Sequence, residues 1–331
     1  MRSTARPVPT NITVTVPARL HLGFLDLNGG LGRRFGSIGL AISNLCTKIT
    51  LHPASKNQVS GPERERVTRY VDKMVQRLGL RDGHAVTVLE VVPAHAGLGS
   101  GTQLALAVAA GIRRLHDLPL DVEADAIHLG RGGRSGVGIG LFHRGGLVVD
   151  GGCAGNEVPA PIVSHISFPD RWRIVVVLDP ARHGIHGADE VAAFGKLPPF
   201  PDGDAAQLCR LVIMKALPAV AEHDIVSFGS AIKKLQARLG DYFAAMQGGM
   251  RFTSPDVAAV LAALDREGAF GIGQSSWGPT GFAFAATPEA ADRLARIAQR
   301  HPAGQGLDIR VCAGFNRAAE IGVRSVGVGV E

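Results

Sequence analysis

The chain has 331 residues, 46% hydrophobic and 19% charged, the balance of an ordinary globular protein with length for about two domains. Lys and Arg number 35 against 29 acids, and the resulting charge of +6 suits an anionic small molecule as well as nucleic acid. The basic residues form no single run and aromatics are only 5%, which argues against a single-strand nucleic-acid binder.

Cys46, Cys153, Cys209 and Cys312 share no CxxC or Cys/His spacing and read as reduced thiols of a cytoplasmic protein. "MRSTARPVPT" leads into no apolar segment, and no run of about 18 apolar residues exists, so neither a signal peptide nor a membrane span is expected.

In chain order, "NITVTVP" alternates with period two and predicts a strand ending at Pro17. "GSIGLAIS" and "CTKITLHP" predict two more strands separated by turn residues. Val67, Val71, Val75 and Leu78 recur at helical spacing in "ERERVTRYVDKMVQRL", with Gly79 as the stop. "HAVTVLEVV" is a strand ending at Pro93, followed by the glycine loop "AHAGLGSG" and an Ala/Leu-rich helix over 102–115. A second domain begins near residue 166, giving a division into 1–165 and 166–331. Its strands lie at 173–178, 270–273, "GFAFAAT" and "LDIRVCA", with helices over about 187–267 and in "PEAADRLARIAQR". That order is β-α-β-β-α-β, ferredoxin-like, and the fold class is α+β.

A strand, a loop with Gly97, Gly99 and Gly101, and a helix start together make a cradle for phosphate, because glycine admits close approach and the helix end supplies free N–H groups. It is neither a Walker loop nor a dinucleotide fingerprint. On composition alone it could equally be a tight turn capped by Ser100.

"PAHAGLGSG" resembles the second motif of the GHMP kinase superfamily. "VPARLHLGFLDLNG" and "GIGQSSWGPTGFAF" stand where that superfamily has its first and third motifs. The resemblance implies a two-domain fold, ribosomal S5 domain 2-like at the N-terminus and ferredoxin-like at the C-terminus. Two residues depart from it. Gly101 replaces a serine of the loop, and "SGVG" puts Gly138 where many of these kinases carry an aspartate that activates a hydroxyl. Glycine cannot act as a base.

"RLHLGFLDLNGGLGRRFGSIGLAI", "RSGVGIG", "HGIHGADE", "MKALPAVAEHDIVSFG" and "GQSSWGPTGFAF" resemble more specifically the β-ribofuranosylaminobenzene 5′-phosphate synthases, a non-kinase branch. Those enzymes join 5-phosphoribosyl diphosphate to 4-aminobenzoate, releasing carbon dioxide and diphosphate, in methanopterin biosynthesis. The resemblance implies a homodimeric, decarboxylating phosphoribosyltransferase using Mg²⁺ brought in with the diphosphate. 4-Hydroxybenzoate remains open as the acceptor. An ATP-dependent small-molecule kinase is the alternative, and a basic RNA-binding module the third reading.

The candidate catalytic residues are Arg19, His21, Asp26, His186 and Lys215. Arg19 and His21 are two apart and share a strand face. Asp26 either meets a cation or ribose hydroxyl or is a turn acid beside Asn28-Gly29. Lys215 on "LCRLVIMKALPAV" either snorkels outward or reaches an anion. His183 and His186 have no third ligand at metal spacing, so no metal site is expected, and His186 stays a diphosphate or proton partner through the resemblance. Candidate binding residues are Gly97, Leu98, Gly99, Ser100, Gly101, Ser135, Glu190, Ser275, Ser276, Trp277 and Gly278, with Trp277 offering a ring face to the acceptor.

Overall fold

A computed structural model describes residues 9–325 except 156, 157 and 186. In chain order the elements are β1 (Pro9–Asp26), β2 (Phe35–Ala54), β3 (Gln58–Ser60), α1 (Arg64–Leu78), β4 (Gly83–Glu90), α2 (Ser100–Leu115), α3 (Val122–His128), α4 (Val137–Arg144), β5 (Leu147–Asp150) and β6 (Ile162–Ile166). Then follow β7 (Arg173–Leu178), α5 (Gly187–Lys196), α6 (Asp202–Leu211), a π-helical turn over Val212–Ala216, α7 (Leu217–Ala221), α8 (Ile225–Phe243) and α9 (Pro255–Arg266). The chain closes with β8 (Phe270–Gln274), β9 (Thr280–Ala285), α10 (Pro288–Arg300), β10 (Asp308–Ala313) and β11 (Glu320–Ser325).

Among the described residues the strands form two sheets. A seven-stranded sheet has the order β11-β1-β2-β4-β3, with β5 on β2 and β6 on β5. A four-stranded antiparallel sheet has the order β10-β7-β9-β8. The second order is that of a ferredoxin-like sheet, and its first crossover carries α5 to α9. β11 returns to pair with β1, so the end of the chain joins the sheet that its beginning starts.

β1 does not stop at Pro17. The register against β2 shifts between Pro17 and Ala18, with Pro17 opposite Cys46 and Ala18 opposite Ile42. The proline sits at an irregularity where a ladder bond is already lost, the place where a strand tolerates it. The same irregularity merges the two strands expected over 36–43 and 46–53 into β2, whose Asn44 takes a left-handed φ of 63°.

Leu20, Leu22 and Phe24 of β1 pack with Phe168, Trp172, Phe228 and Phe284 in one buried cluster that spans the two sheets. A second cluster joins α1 and α2 to the first sheet, and a third joins α9 and α10 to the second. The seam between the sheets is therefore hydrophobic core with a cavity at one end.

Candidate active site

A cavity of about 630 Å³ opens at this seam. Its floor is the glycine loop between β4 and α2. Gly99 is the N-cap of α2 in the left-handed region (φ 77°) and no side chain caps the helix. Ser100 is the first helical residue, so the helix N-terminus is left to the cavity that Gly99, Ser100, Gly101 and Thr102 line. That end attracts anions through free N–H groups and the helix dipole.

Cations surround the loop. Arg19, Arg66, Arg131 and Arg134 line the cavity against one carboxylate among the described residues, Glu190, which is 2.7 Å from Arg134 Nη2. Arg19 lies across the loop: a Cβ on Gly99 would come within 2.6 Å of its Cγ, and its Nη1 donates to the Gly97 carbonyl at 3.4 Å. Burial pulls its guanidinium down to about 10, against the opposing pull of Glu190, so it stays charged at neutral pH. Arg131 donates to the Tyr70 hydroxyl and lies over its ring. Arg131 Nε and Arg134 Nη1 are buried with no hydrogen-bond partner. Buried donors of this strength call for an anion.

His21 shares the Arg19 face and is 2% exposed. Burial, then the neighbouring Arg19, hold its pKa well below the usual 6.5, so the ring is neutral. Three backbone segments meet beside it. Ser275 Oγ accepts from His21 N at 2.9 Å and donates to the Gly97 carbonyl at 2.7 Å. A Cβ on Gly278 would fall 2.1 Å from the Ala96 carbonyl oxygen, and one on Gly184 would fall 2.4 Å from that of Trp277. The two sheets thus touch backbone to backbone at the glycine loop.

Several candidate residues stand elsewhere. Asp26 is a turn acid: its Oδ1 accepts from the amides of Asn28 and Gly29 at 2.7 and 3.1 Å, and it does not line the cavity. Lys215, in the π-helical turn, donates to Ser230 at 3.1 Å and is also outside the cavity wall, drawn to a hydroxyl on α8. Leu98 points into the core, fully buried, because the loop needs an apolar anchor beneath it. Ser275 is a buried staple between segments and no cavity contact. His186 lies outside the described residues. Gly97, Gly99, Ser100, Gly101, Ser135, Glu190, Ser276, Trp277 and Gly278 do line the cavity. Trp277 is 3% exposed and packs on Phe243 (ring centroids 4.4 Å apart) and Phe194 (5.4 Å), forming wall and not a free-standing platform.

Arg66, His95, Arg131 and Arg134 line the cavity without having been singled out in the sequence. The signal for two of them was present in "GRGGRSG", two arginines among glycines immediately before a helix. Asp150 is a further buried residue behind them. Its carboxylate accepts from Ser135 Oγ (3.1 Å), Gly136 N (2.9 Å) and Gly152 N (3.0 Å), pinning the loop that carries both arginines. Burial raises its pKa, and these hydrogen bonds oppose the rise.

Gly138 lies in α4, buried against α2. A Cβ there would stand 2.9 Å from Thr102 Cγ2, so the position that would hold an acid is filled by a methyl group. Gly101 leaves comparable room for Arg131, whose Nη1 would be 3.0 Å from a Cβ at 101. No group of three or more His, Cys, Asp or Glu among the described residues could cage a metal ion. No described helix is long and apolar enough to cross a membrane.

Known proteins share the fold, and some are similar in sequence along most of its length. Residues 65–140 match the GHMP kinases N-terminal domain and residues 216–304 the GHMP kinases C-terminal model. Among solved structures, L. major mevalonate kinase superposes with a TM-score of 0.67 at 16% identity, covering 94% of this chain and 99% of its own. A homoserine kinase from Cytophaga hutchinsonii gives 0.64 at 16%, covering 97% and 99%. These likenesses are of fold. In sequence, the beta-ribofuranosylphenol 5′-phosphate synthase of Archaeoglobus fulgidus is 35% identical over 94% of this chain and all of its own. That of Methanocaldococcus jannaschii is 32% identical over 82% and 88%. With a kinase fold, a cation-lined cradle and full-length similarity of this order, the chain belongs to the beta-ribofuranosylphenol 5′-phosphate synthase family, built on the GHMP kinase fold.

Proposed function

We propose that the protein is a decarboxylating phosphoribosyltransferase that condenses 5-phosphoribosyl diphosphate with 4-hydroxybenzoate or 4-aminobenzoate, as a step of methanopterin-type cofactor synthesis. The names of the relatives favour a phenol product, hence 4-hydroxybenzoate.

In this reaction the bond from ribose C1 to the diphosphate breaks and the electron pair leaves with the diphosphate. The aromatic carbon bearing the carboxylate bonds to C1, and loss of carbon dioxide returns the electron pair that restores aromaticity. Charge develops on the leaving diphosphate, and fixed donors aimed at it are the effective form of catalysis. The α2 N-terminus, Arg19, Arg131 and Arg134 supply them. The para hydroxyl or amino group makes the ring carbon nucleophilic, so no base is needed at the position of Gly138.

The observation that carries this reading is that closed position: Gly138 packed on Thr102, inside an otherwise intact phosphate cradle. Mg²⁺ would enter as part of the diphosphate substrate, since among the described residues the cavity wall offers it one carboxylate, Glu190, already paired with Arg134.

The test is release of labelled carbon dioxide from carboxyl-labelled 4-hydroxybenzoate and 4-aminobenzoate, with and without phosphoribosyl diphosphate and Mg²⁺. Release that depends on the sugar diphosphate is expected. No release, with ATP-dependent phosphorylation of an alcohol instead, would overturn the proposal in favour of a kinase.

A further inference from the structure

Among the described residues of the cavity wall, His21 and Trp277, only 2% and 3% exposed, each carry a buried ring nitrogen with no hydrogen-bond partner, Nε2 and Nε1. A buried polar atom left unpaired keeps its full desolvation penalty. Both residues line the main cavity and also a narrow extension of it, shared with Phe24, Phe243 and Gln236. The Phe24 ring lies 4.5 Å from the His21 ring, and Phe243 lies 4.4 Å from Trp277. Arg251, the one cation lining the extension among the described residues, is held by Asp241 at 2.9 Å.

The site therefore has two ends of different character. The glycine-loop end is cationic. The extension that adjoins it past His21 and Trp277 is aromatic and narrow, and its Arg251 is neutralised by Asp241. A 4-substituted benzoate has the same polarity, with a carboxylate at one end and a neutral hydroxyl or amino group at the other. Set with its carboxylate toward the arginines, it brings the reacting carbon to the ribosyl side and its para group to the aromatic end. A neutral imidazole can offer a lone pair there, whereas an indole N–H can only donate.

Resting on the function proposed above, we infer that His21 is a specificity-determining residue whose Nε2 accepts a hydrogen bond from the para O–H or N–H of the aromatic acceptor. One acceptor atom serves both substituents, so hydroxyl and amino acceptors are both admitted. A para group without hydrogen leaves Nε2 unpaired in the complex.

The experiment is calorimetric binding of 4-hydroxybenzoate, 4-aminobenzoate and 4-fluorobenzoate to the full chain in the presence of inorganic diphosphate. Fluorine keeps the size of the hydroxyl and removes its proton. The wild type is expected to bind the hydroxy and amino compounds about tenfold or more tighter than the fluoro compound. In His21→Phe the preference should fall to about twofold or less while diphosphate affinity is unchanged, and His21→Gln, which returns an acceptor oxygen, should recover part of it. A wild type that does not distinguish the three benzoates, or a His21→Phe variant that keeps the preference while still binding diphosphate, would overturn the inference and leave the proposed function standing. No binding of any benzoate would overturn both. Should His21→Phe lose its fold, His21→Gln carries the comparison, and a His21→Gln variant whose preference is identical to wild type for all three benzoates would overturn the inference.

Discussion

The closed acid position can be tested by opening it. In Gly138→Ala the new methyl would sit 2.9 Å from Thr102 Cγ2, against an ordinary carbon–carbon contact of about 3.5–4.0 Å. Thr102 is β-branched and cannot swing away freely. Overpacking of this kind costs about 1–3 kcal/mol, and exchanging glycine for alanine in a helix returns about 0.5–1 kcal/mol. The net effect should be a loss of up to about 2.5 kcal/mol. Thr102→Ser removes the opposing methyl and should itself cost about 1 kcal/mol of lost burial. In the double variant the conflict is gone, so the two losses should fail to add by about 1 kcal/mol or more in the protective direction. Urea unfolding of the four proteins at pH 7, read as a double-mutant cycle, gives the coupling. Additivity within about 0.5 kcal/mol would mean the two positions do not compete for space, and the account of Gly138 would be wrong. Gly138→Asp goes further: it adds a buried carboxylate to the overlap, and should lose more stability than Gly138→Ala without gaining any ATP-dependent activity.

Three further outcomes follow from the same geometry. Arg134→Ala should raise the KM for phosphoribosyl diphosphate about 10–100-fold and weaken its dependence on salt, because a charge-assisted contact is lost; an unchanged KM would remove Arg134 from the anion site. The native state holds His21 neutral, with a pKa well below 6.5, while the unfolded chain takes up that proton near the usual value. His21 therefore subtracts stability as pH falls below about 6.5, by up to about 1.4 kcal/mol per pH unit, and His21→Phe should flatten the loss of stability measured between pH 6.5 and 5. His84, depressed in the same direction by burial and by His116, contributes its own share in both proteins; identical slopes would refute the assignment. Gly278→Ala should destabilise by about 3 kcal/mol or more, because the new Cβ meets a backbone carbonyl that cannot rotate away; a chemical denaturation midpoint unchanged from wild type would contradict the close approach.

Much of this arrangement was legible from residues whose constraint is local. The glycine loop followed a strand and opened a helix, and a two-residue step put Arg19 and His21 on one face. The β-α-β-β-α-β order preceded a sheet ordered β10-β7-β9-β8. What escaped was set by tertiary contact. α4 runs through glycines that are poor helix formers, and they are there because Thr102 and Ile162 leave no room for a side chain. Arg66 lies on α1 and Arg131 in a glycine-rich loop, and position in the sequence alone assigns neither to the cavity. Their role is decided by which surfaces the fold turns toward the cradle. Asp150 ends the short strand "LVVD" and shows nothing locally of the three groups it holds. Lys215 misled through its apolar neighbours, two of which, Ile213 and Met214, are 48% and 70% exposed.

The return of β11 to β1 has a consequence for how the molecule is made. Pro9 pairs with Ser325 and Ile12 with Val323, so β1 waits for a strand made roughly 300 residues later. At synthesis rates of about 5–20 residues per second, β1 keeps one open edge for most of translation, though its other edge is closed early by β2. An open edge is a template for pairing with a foreign strand. Here the ferredoxin-like unit, inserted between β6 and β11, folds while that edge is still bare. A released chain truncated between β10 and β11 would carry the glycine loop and all four strands of the second sheet, yet leave the β11 edge of β1 open to a foreign strand.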